Sequence, residues 1–319
     1  MRRTPNPLRL AAAAVGLAGL VALAGCVGLR APETGSQTHP PEDAPDATPA
    51  PSPRSAALTR YYSRLQAHLK AQGLLRTDGG GADTPYTAED VARNFERIAF
   101  FDEYARGEGL RAPEGGPGVL RRWQVPVRMQ LEFGARVPQA VRDTDRPAVA
   151  AYAARLARIT GHPIAMSARA PNYHVIIASE DDRAQTVARV RALAPGIGPA
   201  TMALVRNPPR SIYCMVLTFT GKDGPHTYNQ AIALIRSEQP DLMRLSCIHE
   251  ELAQGLGPGN DSAAARPSIF NDDEEFALLT TQDEEILRLL YDPALKPGMS
   301  LQEARPVIRR LLSGPAGAM

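Results

Sequence analysis

Residues 247–257 read Cys247-Ile248-His249-Glu250-Glu251-Leu252-Ala253-Gln254-Gly255-Leu256-Gly257, and the reading of the whole chain turns on them. Pro240-Asp241 opens a helix expected to run through Leu256, where Gly257-Pro258-Gly259 stops it. On a helix, positions i and i+4 share a face. Two donors there can hold one ion while a Glu at i+1 activates the bound water. Counted from His249, the base position is Glu250, but i+4 is Ala253, which has no donor atom. Counted from Glu250, the base is Glu251, the second ligand is Gln254, and Asn260 reaches a third ligand position beyond Gly257. This register makes Glu250, Gln254 and Asn260 the candidate metal ligands and Glu251 the candidate catalytic residue.

In that register the stretch resembles the H-E-x-x-H-x-x-G-x-x-H helix of the metzincins, the matrixin branch in particular, with all three histidines replaced. Pro267-Ser268-Ile269-Phe270 is similar to the Met-turn of that group, with Phe270 where a methionine is expected. Leu279 to Asp292 resembles the matrixin C-terminal helix, and the likeness spans about Leu120 to Asp292. It implies an α+β, zincin-like fold: a mixed β-sheet with backing helices and a long former active-site helix, preceded by two helices. The same run, with Asn260-Asp261-Ser262 and Pro267 to Thr280, is also similar to the Gram-negative secreted proteins catalogued as domain of unknown function 2927. That membership implies no activity.

Replacing imidazoles changes what the site can hold. A carboxylate binds zinc, but amide oxygens are poor partners for it, and an all-oxygen set suits a hard cation such as calcium better. The expectation is a metal-free, catalytically degenerate domain without a cofactor, with zinc or calcium as the ions to test. His249, Asp261, Asp272, Asp273 and Glu274 complete a polar cluster around the helix end. The cluster reads either as a solvated acidic loop or as a polar cleft that binds a ligand. His249 either pairs with Glu250 or a carboxylate of residues 272–274, or is a buried structural histidine. Cys214 with His249 is the remaining nucleophile-and-base pair to consider.

Outward from this helix, Val125 to Phe133 alternates as a strand, and Arg146 to Ile159 has helical spacing. Residues 163–167 and 173–178 read as strands, Asp181-Asp182 starts a helix to Leu193, and a Pro-rich loop follows. Ser211 to Thr220 and Tyr228 to Arg236 are the strongest β runs and suit antiparallel pairing. Helices are expected at 58–75, 87–104, 281–290 and 301–312, with Thr77-Asp78-Gly79-Gly80-Gly81 as a turn. Cys214 and Cys247 either form a disulfide, which would stabilise by about 3–4 kcal/mol, or remain buried thiols.

At the N-terminus, Arg2, Arg3 and Arg9 precede an apolar run from Leu10 to Leu23, too short to span a bilayer. Leu23-Ala24-Gly25-Cys26 resembles a bacterial lipobox, which implies a signal peptide at 1–25 and palmitate-type acylation at Cys26. Residues 26–56 then form a Pro-rich tether able to extend roughly 80 Å. Residues 57–118 are expected to be a helical N-terminal segment and 119–315 the zincin-like domain. Val27 after the cysteine favours the periplasmic face of the outer membrane. Lys and Arg total 36 against 34 acidic residues, with no basic block, which argues against nucleic acid as a partner. The expected partners are the membrane, through the lipid, and an envelope protein, peptide or glycan. The other two readings are an active hydrolase with an atypical metal site and a purely structural envelope protein.

Overall fold

The computed structural model describes residues 49–103, 109–110, 116–221, 224–271 and 273–314. The architecture is α+β. Two helices, α1 (Pro53–Ala71) and α2 (Ala88–Phe100), precede strands β1 (Arg122–Trp123) and β2 (Val127–Phe133). Helix α3 (Gln139–Thr160) leads to β3 (Ile164–Met166) and β4 (Tyr173–Ala178). Helices α4 (Arg183–Leu193) and α5 (Pro199–Arg206) come next, then β5 (Cys214–Gly221) and β6 (Gly224–Arg236). Three helices close the chain: α6 (Asp241–Gln254), α7 (Thr281–Tyr291) and α8 (Leu301–Leu312).

The sheet runs β3-β2-β4-β6 in parallel, with the short β1 also parallel beside the start of β6. Strand β5 lies antiparallel along the other side of β6, from Cys214 opposite Ile235 to Gly221 opposite Gly224. Apart from His174, which pairs with Glu132, β4 is apolar on both faces because both are covered, which is why its ends are readable in the sequence. Tyr173, Val175, Ile177, Ala231, Ala233 and Ile235 point to one side and join the main core with α3, α6 and α7. Ile176, Ile232 and Leu234 point to the other and meet Val190 of α4 and Met202 and Val205 of α5. Strand β5 divides in the same way: Cys214 and Val216 meet the main core, while Met215, Leu217 and Phe219 meet the second cluster.

Three expectations differ from what forms. Helix α1 spans Pro53–Ala71 rather than 58–75, its start lying inside residues 26–56 expected as tether, because Ser52 caps it by accepting the Ser55 N–H and Pro53 fits a first helical position. Helix α3 begins at Gln139 rather than Arg146, with Pro147 inside it. A proline there removes one intrahelical donor, a loss the buried Val149, Tyr152 and Leu156 outweigh. The segment expected as a Pro-rich loop contains α5, whose first position is Pro199; a proline at that place lacks only an N–H that would be unpaired anyway. The helix starting at Thr87 is present, with Thr87 and Asp90 capping each other. It ends at Phe100 and packs with α7 and α8, so the leading helices share one compact body with the sheet.

Helix α6 is fixed from several sides. Arg244, 1% exposed, makes a two-pronged bond to Asp145 of α3 and donates to the Gln239 carbonyl, 2.7 Å away. Cys247 is joined to Cys214 of β5 by a disulfide. Its C-terminal half is held by aromatic donors. Tyr152 Oη donates to the His249 carbonyl, Tyr173 Oη to that of Glu251, Trp123 Nε1 to that of Gly255 and Tyr291 Oη to that of Leu256, all at 2.6–2.9 Å. The Glu251 carbonyl also accepts the Gly255 N–H, while those of Gly255 and Leu256 lie past the last helical residue, so the aromatic donors pin α6 from its last turns into the loop. Gly257 follows with φ 145°, where a side chain would meet the Arg121 carbonyl and Leu290.

Replacing Asp145 by Ala leaves the buried Arg244 guanidinium with only the exposed Asp241 as an acidic partner among the described residues. The expected loss is about 3–5 kcal/mol, read as a lowered urea midpoint. The double change Asp145→Leu with Arg244→Met should recover most of it; an unchanged midpoint in Asp145→Ala would show that the ion pair holds nothing.

Candidate binding cleft

Because α6 is held in this way, its cleft-side surface has a fixed position beneath β5. Between them opens a cleft of about 640 Å³. Residues 212–219 of β5 and the segment before it form one wall, and Glu250, Glu251 and Gln254 of α6 form the floor. Asp261 and Glu274, from the loop between α6 and α7, and Asp102 and Glu103, just after α2, contribute further acids. Six of the described residues lining the cleft are acidic, and none is Lys, Arg or His.

Carboxylates cannot be crowded out of water without cost. Burial pushes the Glu251 carboxyl well above the ordinary value near 4.5, and Asp261 and Glu103 push in the same direction. Glu250 is raised the same way, first by burial and then by Glu251 and Asp261. Glu251 is 4% exposed, and its Oε2 is buried without a hydrogen-bond partner. One oxygen from each of these carboxylates and Cys214 Sγ lie within 4.8 Å of one another. Cys214 is in the disulfide, so its sulfur carries no thiolate to share in binding an ion.

The residues singled out in the sequence separate into groups. Glu250, Glu251 and Gln254 line the cleft together, as their helical spacing implies. The Gln254 amide donates to Asp261 Oδ1 at 3.1 Å. Asn260 is turned elsewhere: its Nδ2 donates to the Arg97 and Asp261 carbonyls. His249 stacks on Tyr152, with ring centroids 3.9 Å apart, and its Nδ1 accepts the Leu279 N–H at 3.1 Å. Burial lowers its pKa to about 3, so it is a neutral acceptor that ties α6 to the chain before α7. Asp273 is exposed and accepts the Glu275 N–H. Glu274 reaches the cleft, while Cys26 and Asp272 lie outside the described residues. Phe270 is fully buried in the main core, just after the cis bond between Arg266 and Pro267.

Nothing in the sequence marks Asp102 and Glu103 as cleft residues, and the β run from Ser211 to Thr220 carries no sign that it walls a cleft over α6. Only the folded topology brings these distant segments over α6. Asp283, which reads as an ordinary first-turn acid, is fully buried. Its carboxylate accepts the Ile269 and Thr280 N–H groups and the Ser268 and Thr280 hydroxyls. Burial raises its pKa to about 6 even against these bonds, and the carboxylate fastens the Pro267 to Phe270 turn to α7.

Residues 88–310 match the family model described as "Protein of unknown function (DUF2927)", and the chain belongs to that family. No curated protein and no solved structure matches the chain.

The raised Glu251 carboxyl gives a signed expectation. A folded-state pKa above the unfolded one contributes stability that is complete below about pH 4.5 and lost as pH rises through the folded value. Glu251→Gln should therefore match the parent near pH 4 and exceed it by about 1–3 kcal/mol near pH 8. Equal urea midpoints at both pH values would show that Glu251 carries no burial penalty.

Proposed function

We propose that this member of the family is a zincin-like scaffold that binds an extended peptide in the β5–α6 cleft and does not hydrolyse it through zinc. The observation that carries this reading is the edge of β5. Among the described residues β5 pairs only with β6, so its other edge offers main-chain donors and acceptors along the cleft wall. An extended chain laid against such an edge gains ladder hydrogen bonds, and flanking pockets select its side chains.

The likeness to metzincins is supported by the strand order, by the antiparallel strand beside β6 and by the helix that follows directly. The donor set does not fit zinc. Two of the three ligand positions are amides, one bonded to Asp261 and the other to the Arg97 carbonyl, and amide oxygens hold zinc poorly. No step through zinc is therefore derived.

A second reading, hydrolysis by a metal-independent acid pair, rests on the raised Glu250 and Glu251 carboxyls. Perturbed acids in a cleft are where general acid–base chemistry is found. In either case the domain would hang from acyl chains on Cys26 by its Pro-rich tether, at the periplasmic face of the outer membrane.

A library of unstructured decapeptides, incubated with protein dialysed against chelator, separates these readings. Saturable binding with peptides recovered intact by mass spectrometry is the expected result. Cleaved products that vanish in Glu251→Gln would establish the acid pair as catalytic, and activity restored only by added zinc would overturn the metal-free reading.

A further inference from the structure

The proposed peptide cleft has one chemical preference that its shape alone does not require. We propose that the Glu250–Glu251 pair receives the cationic end of a lysine or arginine side chain from a peptide seated on β5. This rests on the peptide-binding reading and adds the identity of the side chain that the cleft selects.

The starting point is Glu251, which lines the cleft and whose Oε2 is buried without a hydrogen-bond partner. An acceptor of that kind costs stability unless something outside the described chain completes it. Glu250 lies beside it, so two carboxyl groups converge on one point of the floor. Asp102, Glu103, Asp261 and Glu274 have interactions of their own, and Asp102 pairs with Arg121, so the cation is assigned to Glu250 and Glu251.

A metal ion is a poorer fit than an organic cation. Hard cations such as calcium take six to eight oxygens, whereas the converging group holds two carboxylates and a disulfide sulfur. The Gln254 amide donates its N–H to Asp261. The volume points the same way, since 640 Å³ far exceeds what one ion needs and suits a side chain with its stem. That stem has a surface to lie on. Tyr213 and Val216, on the α6 side of β5, line the cleft with Glu250 and Glu251, and lysine and arginine characteristically rest their methylenes on such a surface while the charge reaches a polar end. No Lys, Arg or His among the described lining residues answers these carboxyls, and an arriving cation favours their charged form against the burial that raises them.

The test uses the full-length protein and two kinds of probe. The first is a matched set of labelled peptides drawn from a library binder, with lysine, arginine, norleucine or glutamate at one central position. Lysine or arginine should bind at least about tenfold tighter than norleucine in the parent, and the difference should collapse in Glu251→Gln. Equal affinity across the set overturns the cation assignment while leaving peptide binding intact; no binding by any peptide removes the peptide reading instead.

The second probe is independent of β5 pairing. Nα-acetyl-lysine methylamide at millimolar concentration should raise the parent's melting temperature and leave that of Glu251→Gln unchanged. A shift produced by calcium or zinc chloride but not by this amine would overturn the proposal in favour of a metal site. Equal shifts in parent and variant would overturn it as well, because the cation would then bind elsewhere.

Discussion

Everything that gives the cleft its chemistry follows from how α6 is immobilised. A helix bearing adjacent acids would ordinarily turn them to water, where they are cheapest. Here rotation is blocked at the first turns by the buried Arg244–Asp145 pair, in the middle by the disulfide from Cys247 to β5, and at the end by phenol and indole donors. The disulfide also joins the floor of the cleft to its wall, so the spacing between Glu250 and the β5 strand is covalently limited. Such a frame can hold an unsatisfied carboxylate in place. A loop would relax until the charge was solvated.

The same frame explains which parts of the fold were legible in the chain. β4 is readable to the residue, because a strand covered on both faces is apolar at nearly every position, His174 alone being polar. Helix α8 was equally clear, since Ser300 and Glu303 cap its start and its apolar positions keep helical spacing. Reading failed where proline was taken as punctuation. Pro147 marked an apparent start but lies inside α3, and the prolines around α5 concealed a helix held by Met202 and Val205 against the sheet. Both are cases in which tertiary packing outweighs a local preference.

The site divides along a similar line. Glu250, Glu251 and Gln254 were found together because helical spacing fixes relative direction within one element. Asn260 follows Gly257, whose left-handed backbone redirects the chain, and no spacing rule carries across such a residue. Its amide ends on the Arg97 carbonyl, an α2 contact that sequence distance hides completely. His249 belongs to the same helix but to a face directed at α3. Its stacking on Tyr152 gives it a structural duty that its place beside two acids obscures.

The energetic position of Glu251 argues that the cleft is not a by-product of folding. Other buried carboxylates are answered: Asp283 accepts from two hydroxyls and two amides, and Asp145 is paired with Arg244. Glu132 sits between His174 and Arg189, which hold its carboxyl down near 2 although burial pushes it up. Glu251 has no such answer at Oε2, and the neighbouring acids raise its cost further. Glutamine or leucine would suit the fold better at that position. Glu238 also has an unpartnered oxygen, but its Oε1 accepts both the Ser55 hydroxyl and the Glu180 N–H. Glu251 stands open at the floor of a cleft walled by a free strand edge, where a ligand can restore the stability given up.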